Sequence, residues 1–383
     1  MTQCYVCESP IEAFALSLAA PALSSLTTEI DVPTRVAVCD RCGHGQSPEP
    51  VELASFYDVE YRISLQSDEF DQLYATVDGN PQYRTEKQLE VLLGMVDVFD
   101  GCRVLDYGAA KAQSLKRLIG ARPGIVPHVF DISQDYQAHW DVFLPRERTA
   151  TYDLPAAWNG QFDLITTYFV LEHIADPTTH LRRLRDMLAP GGRLFVMVPN
   201  ALTNTGDLLV VDHVNHFTVP SLVQACALSG LQVEKIDERG FVGAVAIVAM
   251  AAEAPTGSAA DDIAEAAKAL RAACGAWGAI DAHLVRALSD RPNGKFALHG
   301  AGFYGAFTMQ RLKNNLSLAY VLDANPYLQG GDFFGRPVLA PSELPSDVDT
   351  VFVALNPATA RRIVGDGGIY GRTGIDAVFL DGV

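Results

Sequence analysis

Positive charge is scarce in this chain. Its 29 lysines and arginines face 46 aspartates and glutamates among 383 residues, for a formal net charge of −17. Such a surface repels phosphate backbones and anionic lipid, so nucleic acid and membrane are not expected as partners. Long hydrophobic runs are missing too. The longest uncharged apolar stretch, Phe241 to Ala252, falls well short of the roughly 20 residues that cross a bilayer and reads as a buried strand. No stretch near the N-terminus joins a basic segment to an apolar one as a secretory signal does, so a cytoplasmic location is expected. Cysteine is sparse, at seven residues, and unevenly placed. Cys102, Cys226 and Cys274 are isolated in apolar surroundings, whereas Cys4, Cys7, Cys39 and Cys42 form two Cys-x-x-Cys pairs. In a reducing compartment such pairs point to a metal rather than to disulfides.

Four thiolates suit tetrahedral Zn²⁺, whose binding, on the order of 10 kcal/mol, would staple a segment too small to fold on its own core. A closed structural site is expected at Cys4, Cys7, Cys39 and Cys42; with four cysteines present, His44 has no vacancy to fill. Apolar residues make up 49% of the chain, ample for sizeable cores, and the length suggests two or three domains. Boundaries are expected at 1–70 (zinc-binding module), 71–255 (central α/β domain) and 256–383 (C-terminal α/β domain).

The centre of the chain is organised around Arg103-Val104-Leu105-Asp106-Tyr107-Gly108-Ala109-Ala110-Lys111-Ala112. A short apolar run ends in an acid and a glycine, and a helical pattern follows at once. Such a strand–turn–helix offers unsatisfied N–H groups and the positive end of a helix dipole. A helix over 83–98 should precede it. Strands are expected at 103–107, 126–130, 162–168, 193–198, 232–237 and 241–250, and helices at 112–119, 177–188 and 219–229. This alternation implies a parallel sheet covered on both faces, with the last two strands as an antiparallel edge pair. A linking helix over 255–292 leads to strands 296–299, 320–323 and 350–354 and a helix over 306–313. Gly300-x-Gly302-x-x-Gly305 with Asp323 fits a dinucleotide fingerprint by spacing, and close strand–helix packing explains the same glycines.

The turn Asp106-x-Gly108-x-Ala110-x-Ala112 resembles the Asp-x-Gly-x-Gly-x-Gly signature of class I S-adenosylmethionine (SAM)-dependent methyltransferases, with alanine at the last two glycines. SAM carries no pyrophosphate, so the backbone need not come as close. Three further matches follow in order: Phe162-Asp163-Leu164-Ile165 leading to Leu171-Glu172-His173-Ile174-x-Asp176-Pro177, then Leu188-x-Pro190-Gly191-Gly192, then Val198-Pro199-Asn200. The resemblance implies a Rossmann-like sheet with SAM held by Asp106, Gly108 and Ala109 at its methionine part, Asp131 at the ribose, and Asp153 with Leu154 at the adenine. Lys111, Ile132 and Tyr168 complete the expected cofactor site.

The order of zinc knuckles, SAM domain and C-terminal α/β tail resembles the sugar C-methyltransferases that act on nucleotide-linked 4-keto-deoxysugars. In the tail the match runs through Gly300–Gly305, Val321-Leu322-Asp323-x-Asn325-Pro326-x-x-Gln329-Gly330, Gly335-x-Pro337-Val338 and Pro341. The likeness implies a half-Rossmann tail that shapes a sugar-nucleotide site. The family's catalytic loop, approximately Tyr-x-Glu-His-x-x-Tyr-Phe-Ser, corresponds to Val210-Val211-Asp212-His213-Val214-Asn215-His216-Phe217-Thr218. This puts His213 at the general base, Asp212 at the usual Glu, and His216 at a Tyr. His173 matches a second family histidine near the methyl donor, and Tyr57 or Tyr61 stands where a tyrosine faces the substrate.

Together these features predict SAM-dependent methyl transfer to a sugar-like small molecule, on carbon beside a ketone or on oxygen, with His213 taking the proton. Asp212 is expected to hydrogen-bond substrate or His216 rather than to orient His213. Asp212, His213 and His216 also admit a metal reading. The alternatives are an NAD-dependent oxidoreductase using the C-terminal turn and a non-catalytic zinc-stapled binding protein. A monomer or small homo-oligomer fits either reading.

Overall fold

The computed structural model describes residues 2–49, 71–77, 80–312, 317–365 and 375–381. They form two compact units, Met1–Ala15 with Val36–Arg271 and Leu16–Arg35 with Ala272–Val383. Tyr57 and Tyr61 lie outside the described residues.

The first unit is built on seven strands: β1 (Arg103–Tyr107), β2 (Val126–Asp131), β3 (Thr149–Thr151), β4 (Phe162–Tyr168), β5 (Leu188–Pro199), β6 (Leu231–Asp237) and β7 (Ala244–Ala251). Their order across the sheet is β3-β2-β1-β4-β5-β7-β6. β1 to β5 pair in parallel, β7 pairs antiparallel with β5, and β6 antiparallel with β7. The expected alternation and the antiparallel edge pair are both present. Because successive side chains on a strand point to opposite faces, the near-continuous apolar strands feed two cores. Leu194, Val196 and Val198 join one with Leu181 and Leu184 of α3 (Pro177–Met187) and Leu222 and Ala225 of α4 (Val219–Leu228). Phe195 and Met197 join the other with Leu92 and Met95 of α1 (Arg84–Met95) and Leu115 and Leu118 of α2 (Gln113–Ala121).

Three local expectations need correction. β5 begins at Leu188 and takes in Pro190-Gly191-Gly192, which pattern alone assigns to a loop; the register shift between Phe162 and Leu164 of β4 accommodates it. β7 begins at Ala244 rather than 241 because Gly243, at φ 77°, turns the chain first. β3 is three residues long and too short to show a period.

His128 is one of the buried ionisable groups that lose their charge on folding. His128 on β2 is buried, with its ring edge-on to Trp158 and Phe162 at 5.3 and 5.1 Å, and Nδ1 donates to the Val126 carbonyl at 3.2 Å. Burial pushes its pKa down to about 4, with Arg103 and Arg148 adding repulsion. The unfolded chain therefore binds the extra proton first, from about pH 6.5 downward, and stability falls from there to about pH 4. Urea titrations across this range should show a loss to which His128 contributes on the order of 2 kcal/mol, a share that His128→Leu removes while the buried His44 and His173 keep theirs. An unchanged slope in the variant would refute the assignment.

The linking helix α5 spans Ala260–Ser289. In the second unit, β8 (Phe296–His299), α6 (Phe303–Leu312), β9 (Leu318–Leu322), β10 (Arg336–Leu339), β11 (Thr350–Val353) and β12 (Asp376–Phe379) follow. The sheet order is Asp332–Phe333, β10, β9, β8, β11, β12, parallel throughout except at the 332–333 edge. The half-Rossmann expectation is too small: two parallel strands flank β8 on each side, and the short β10 and β12 escaped the pattern. The glycine turn does pack tightly. A Cβ on Gly305 would sit 1.9 Å from the Gly300 carbonyl oxygen. Asp323 closes the loop by accepting from Ala301 N and Asn325 N, each at 2.8 Å.

Candidate active site

The chain runs from β1 outward to β2 and β3 and then returns to β4 on the other side of β1. This reversal leaves a crevice at the carboxyl ends of β1 and β4, the usual place for a ligand in an open α/β sheet. Asp106, Asp131 and Tyr168 all stand at these strand ends. Asp106 is buried, accepts from Thr166 Oγ1 at 3.0 Å, and is pushed up to about 7 by burial. Burial also raises Tyr168 well above a normal phenol, and the Asp106 charge adds to the effect. Lys111 is buried, Ile132 and Asp153 are exposed, and Leu154 is half-buried after β3.

The turn itself differs from expectation in a physical detail. The N–H groups of Gly108 and Ala109 both donate to the Phe130 carbonyl, at 2.9 and 3.0 Å, and that of Ala112 donates to Ala109 O at 2.6 Å. Asp131 Oδ2 accepts from Ala110 N at 2.8 Å and Oδ1 from Ser133 N at 3.0 Å. These four amides thus hold the turn together rather than wait for a ligand. Asp131, assigned to the ribose on resemblance, already braces the turn through Oδ2 and its own segment through Oδ1, with lone pairs left over.

The two alanines in the signature also have a cost that close approach does not explain. Ala110 and Ala112 take φ of 45° and 57°, the left-handed region, as does Gly108 at 74°. A Cβ there costs roughly 1–2 kcal/mol. Ala110→Gly should therefore stabilise the protein by about 1 kcal/mol in denaturant titration, whereas Ala112→Gly should gain less because its methyl is buried. Gly108→Ala should destabilise it, since the new methyl would lie 2.4 Å from Val170 Cγ2. If Ala110→Gly destabilises, the strain argument fails.

Val170 leads from this turn into a short 3-10 segment, Leu171–His173, which carries Glu172 and His173. Opposite it lies the loop after β5. There a second 3-10 turn, Thr205–Leu209, presents Asp207, a residue the sequence reading missed. Asp207 Oδ1 accepts from His213 Nδ1 at 2.6 Å, and Oδ2 from His216 Nδ1 at 2.7 Å. Burial alone would raise the Asp207 pKa, but the His213 charge and the two imidazole N–H groups hold it well below a normal carboxylate. For His213, burial opposes the proton and Asp207 overrides it, raising the group to about 9. The signal was available as Asp207-x5-His213-x2-His216, but only the immediate neighbours of the histidines were weighed.

The expectation for Asp212 is corrected. His216 uses Nδ1 for Asp207 and Nε2 for Ser47 Oγ at 2.8 Å, and its ring is wholly buried. Asp212 therefore does not bond to His216. Its backbone oxygen accepts from His173 Nδ1 at 3.0 Å, and its buried carboxylate lies 3.7 Å from the same nitrogen. His173 and His213 meet edge to face at 4.8 Å between ring centres. Burial lowers His173 to about 4, with the His213 charge next in size. Asn215 ties the two segments together by donating to Leu171 O at 2.9 Å and Ile174 O at 2.6 Å.

The cysteine pairs meet in the same unit. Cys4 and Cys42 sulfurs lie 3.5 Å apart, Cys7 and Cys39 sulfurs 3.6 Å, all four atoms fall within 4.8 Å of one another, and none is in a disulfide. A tetrahedron with Zn–S near 2.3 Å has edges of about 3.8 Å, so the donor set and its spacing fit zinc. The knuckles are not a detached module. Cys4, Cys39 and Cys42 belong to the core that also holds Phe217 and Leu222. Gly45 and Gln46, just after the second pair, form strand pairs with His216 and Asn215.

Residues 67–236 match the sequence model of a family described as a methyltransferase domain. That match covers somewhat less than half of the chain and is a similarity to a methyltransferase domain. Among curated proteins, the ubiquinone biosynthesis O-methyltransferase of Xanthomonas euvesicatoria pv. vesicatoria (strain 85-10) is 32% identical over 117 residues, covering 29% of this chain and 48% of the relative. The chain spans about half the length of the curated relatives it matches. Solved structures with a similar fold include an S-adenosylmethionine-dependent methyltransferase from Mesorhizobium loti, at 18% identity over 43% of this chain and 97% of that one with a TM-score of 0.36. Another is the mitomycin 7-O-methyltransferase, at 18% identity over 44% and 54% with a TM-score of 0.37. No helix among the described residues is long and apolar enough to cross a membrane.

Proposed function

We propose that this protein transfers the methyl group of SAM to a small, sugar-like acceptor, with His213 as the base. The observation that carries the reading is the Asp207–His213 pair beside the His173 segment that follows β4. Asp207 accepts a hydrogen bond from His213 Nδ1–H, which orients the ring and makes Nε2 the nitrogen that exchanges the proton. SAM supplies an electrophilic methyl on a sulfonium. The chain's share of the work is to hold the two reactants in line and to take one proton.

For the donor, Asp106 and Asp131 are two buried carboxylates at adjacent strand ends, a set that suits a ligand bearing an ammonium group and ribose hydroxyls. Gly108 and Ala109 line the turn, Lys111 and Tyr168 flank it, and Ile132, Asp153 and Leu154 offer the rim for an adenine. For the acceptor, the Asp212–His216 segment lies against the Leu171–Ile174 segment that follows β4. His216, buried and bonded at both nitrogens, positions this segment rather than meeting substrate. The likeness of the second unit to the sugar C-methyltransferase tail supports a nucleotide-linked sugar, and the O-methyltransferase relatives support oxygen as the methylated atom. Four clustered cysteines support a structural zinc.

Isothermal titration with SAM and with S-adenosylhomocysteine should show one site per chain. Asp106→Ala should weaken both by about ten-fold or more, the effect of losing a charge-assisted contact. A protein that binds neither compound would overturn the proposal. A panel of sugar nucleotides, assayed by methyl incorporation, then identifies the acceptor.

A further inference from the structure

We infer that Glu172, His173 and His213 form a site for a single divalent transition-metal ion, separate from the four-cysteine zinc site. Each of the three offers a ligand atom, and these atoms lie within 4.8 Å of one another. One carboxylate and two imidazoles, with open positions left over, are a recurrent set for Fe²⁺, Co²⁺, Zn²⁺ and related ions.

Glu172 points independently to such a ligand. It is 1% exposed, and among the described residues neither carboxylate oxygen has a hydrogen-bond partner from another side chain or turn. A buried carboxyl left in that state costs on the order of 1–3 kcal/mol or more, and a cation between it and the imidazoles would recover that cost. The surroundings of the two histidines agree. His213 gives its Nδ1 proton to the Asp207 carboxylate, and His173 gives its own to the Asp212 carbonyl oxygen. Each bond fixes the tautomer that puts the lone pair on Nε2, and each is the kind of outer contact that orients a metal-bound imidazole. Asn215 then holds the two ligand-bearing segments at a fixed separation.

The inference is an alternative to the base role assigned to His213, because an ion-bound Nε2 cannot also take a proton; it can be tested on its own, since ion binding can be measured without SAM or acceptor. With the ion in place, the Nε2 lone pair of His213 is committed to it. An acceptor hydroxyl on an open position would be more acidic there than in water, and its proton would pass to solvent rather than to His213. This favours an acceptor with an oxygen to be methylated.

The test uses full-length protein with its cysteine site filled by zinc, titrated with Co²⁺ and followed by visible absorption. One additional Co²⁺ per chain is expected, with ligand-field bands and no sulfur-to-cobalt charge transfer. Glu172→Gln should abolish this binding or weaken it well beyond ten-fold. Because the Glu172 carboxylate has no side-chain partner among the described residues, the isosteric amide should leave folding intact, and His213→Gln gives a second, independent loss. Asp207→Asn should weaken binding by about 10–100-fold through the orientation of His213. The inference falls if cobalt appears only with thiolate bands, if no ion binds, or if affinity survives Glu172→Gln. SAM titration of the same samples shows separately whether the methyltransferase reading stands.

Discussion

His213→Gln is expected to lower methyl transfer by about 10²–10⁴-fold, the usual worth of a positioned proton acceptor, while SAM binding stays unchanged. The two effects separate because the residues assigned to the donor lie at the ends of β1, β2 and β4, whereas His213 comes from the loop after β5. Glutamine preserves the size of the side chain and can still donate to Asp207. Little stability should be lost, and circular dichroism with thermal melting would establish that. Asp207→Asn should act in the same direction with a smaller effect. It removes the charge that fixes the His213 tautomer and leaves one amide oxygen to serve two imidazole N–H groups that now use both carboxylate oxygens. Radiolabelled methyl transfer under single-turnover conditions is the measurement. A His213→Gln enzyme within a few-fold of the parent would dismiss His213 as the proton acceptor.

The central sheet was legible because its strands are buried on both faces. Runs such as Leu194 to Val198 are apolar at every position, and the helices between them end at proline and glycine. The donor turn was legible as a motif but not in its hydrogen bonding. Nothing in Asp106 to Ala112 announces that Phe130 and Asp131, at the end of the next strand, take up its amides. The same device recurs in the second unit, where Asp323 accepts from Ala301 N. An acid at the end of the second strand, commonly read as a ribose ligand, therefore has a structural role in both turns. The site around His213 was half legible. The histidines stood out by resemblance, but Asp207 sits on an irregular 3-10 turn, where neither a helical nor a strand period links it to residues six and nine positions on. Glu172 passed as part of a motif, because its burial follows from the Asn215 bonds to Leu171 and Ile174, a long-range contact.

Loss of the zinc proposed at the four cysteines is expected to abolish methyl transfer as thoroughly as loss of His213, by a different route. Zinc held by four thiolates contributes on the order of 10 kcal/mol, comparable with the whole stability of a typical domain. Without it the two knuckles have little beyond Val6, Ile11 and Ala37 to hold them in the core. What they release is the active-site loop. Gly45 and Gln46 pair with His216 and Asn215, His44 Nε2 meets Asn215 Oδ1 at 3.0 Å, Ser47 Oγ meets His216 Nε2 at 2.8 Å, and Thr218 Oγ1 donates to Gly43 O at 3.0 Å. Asn215 in turn sets the distance between His173 and His213, so the register of the knuckle hairpin passes directly to the proposed base. Cys39→Ser is the informative variant, because a chelator would also strip an ion held by Glu172 and the two histidines. It should lose methyl transfer and melt earlier, while the donor turn, held by Phe130, Asp131 and Trp140, continues to bind SAM. Full activity in a Cys39→Ser protein shown by metal analysis to lack zinc would mean that the loop keeps its shape unaided, and the bracing role of the knuckles would have to be given up.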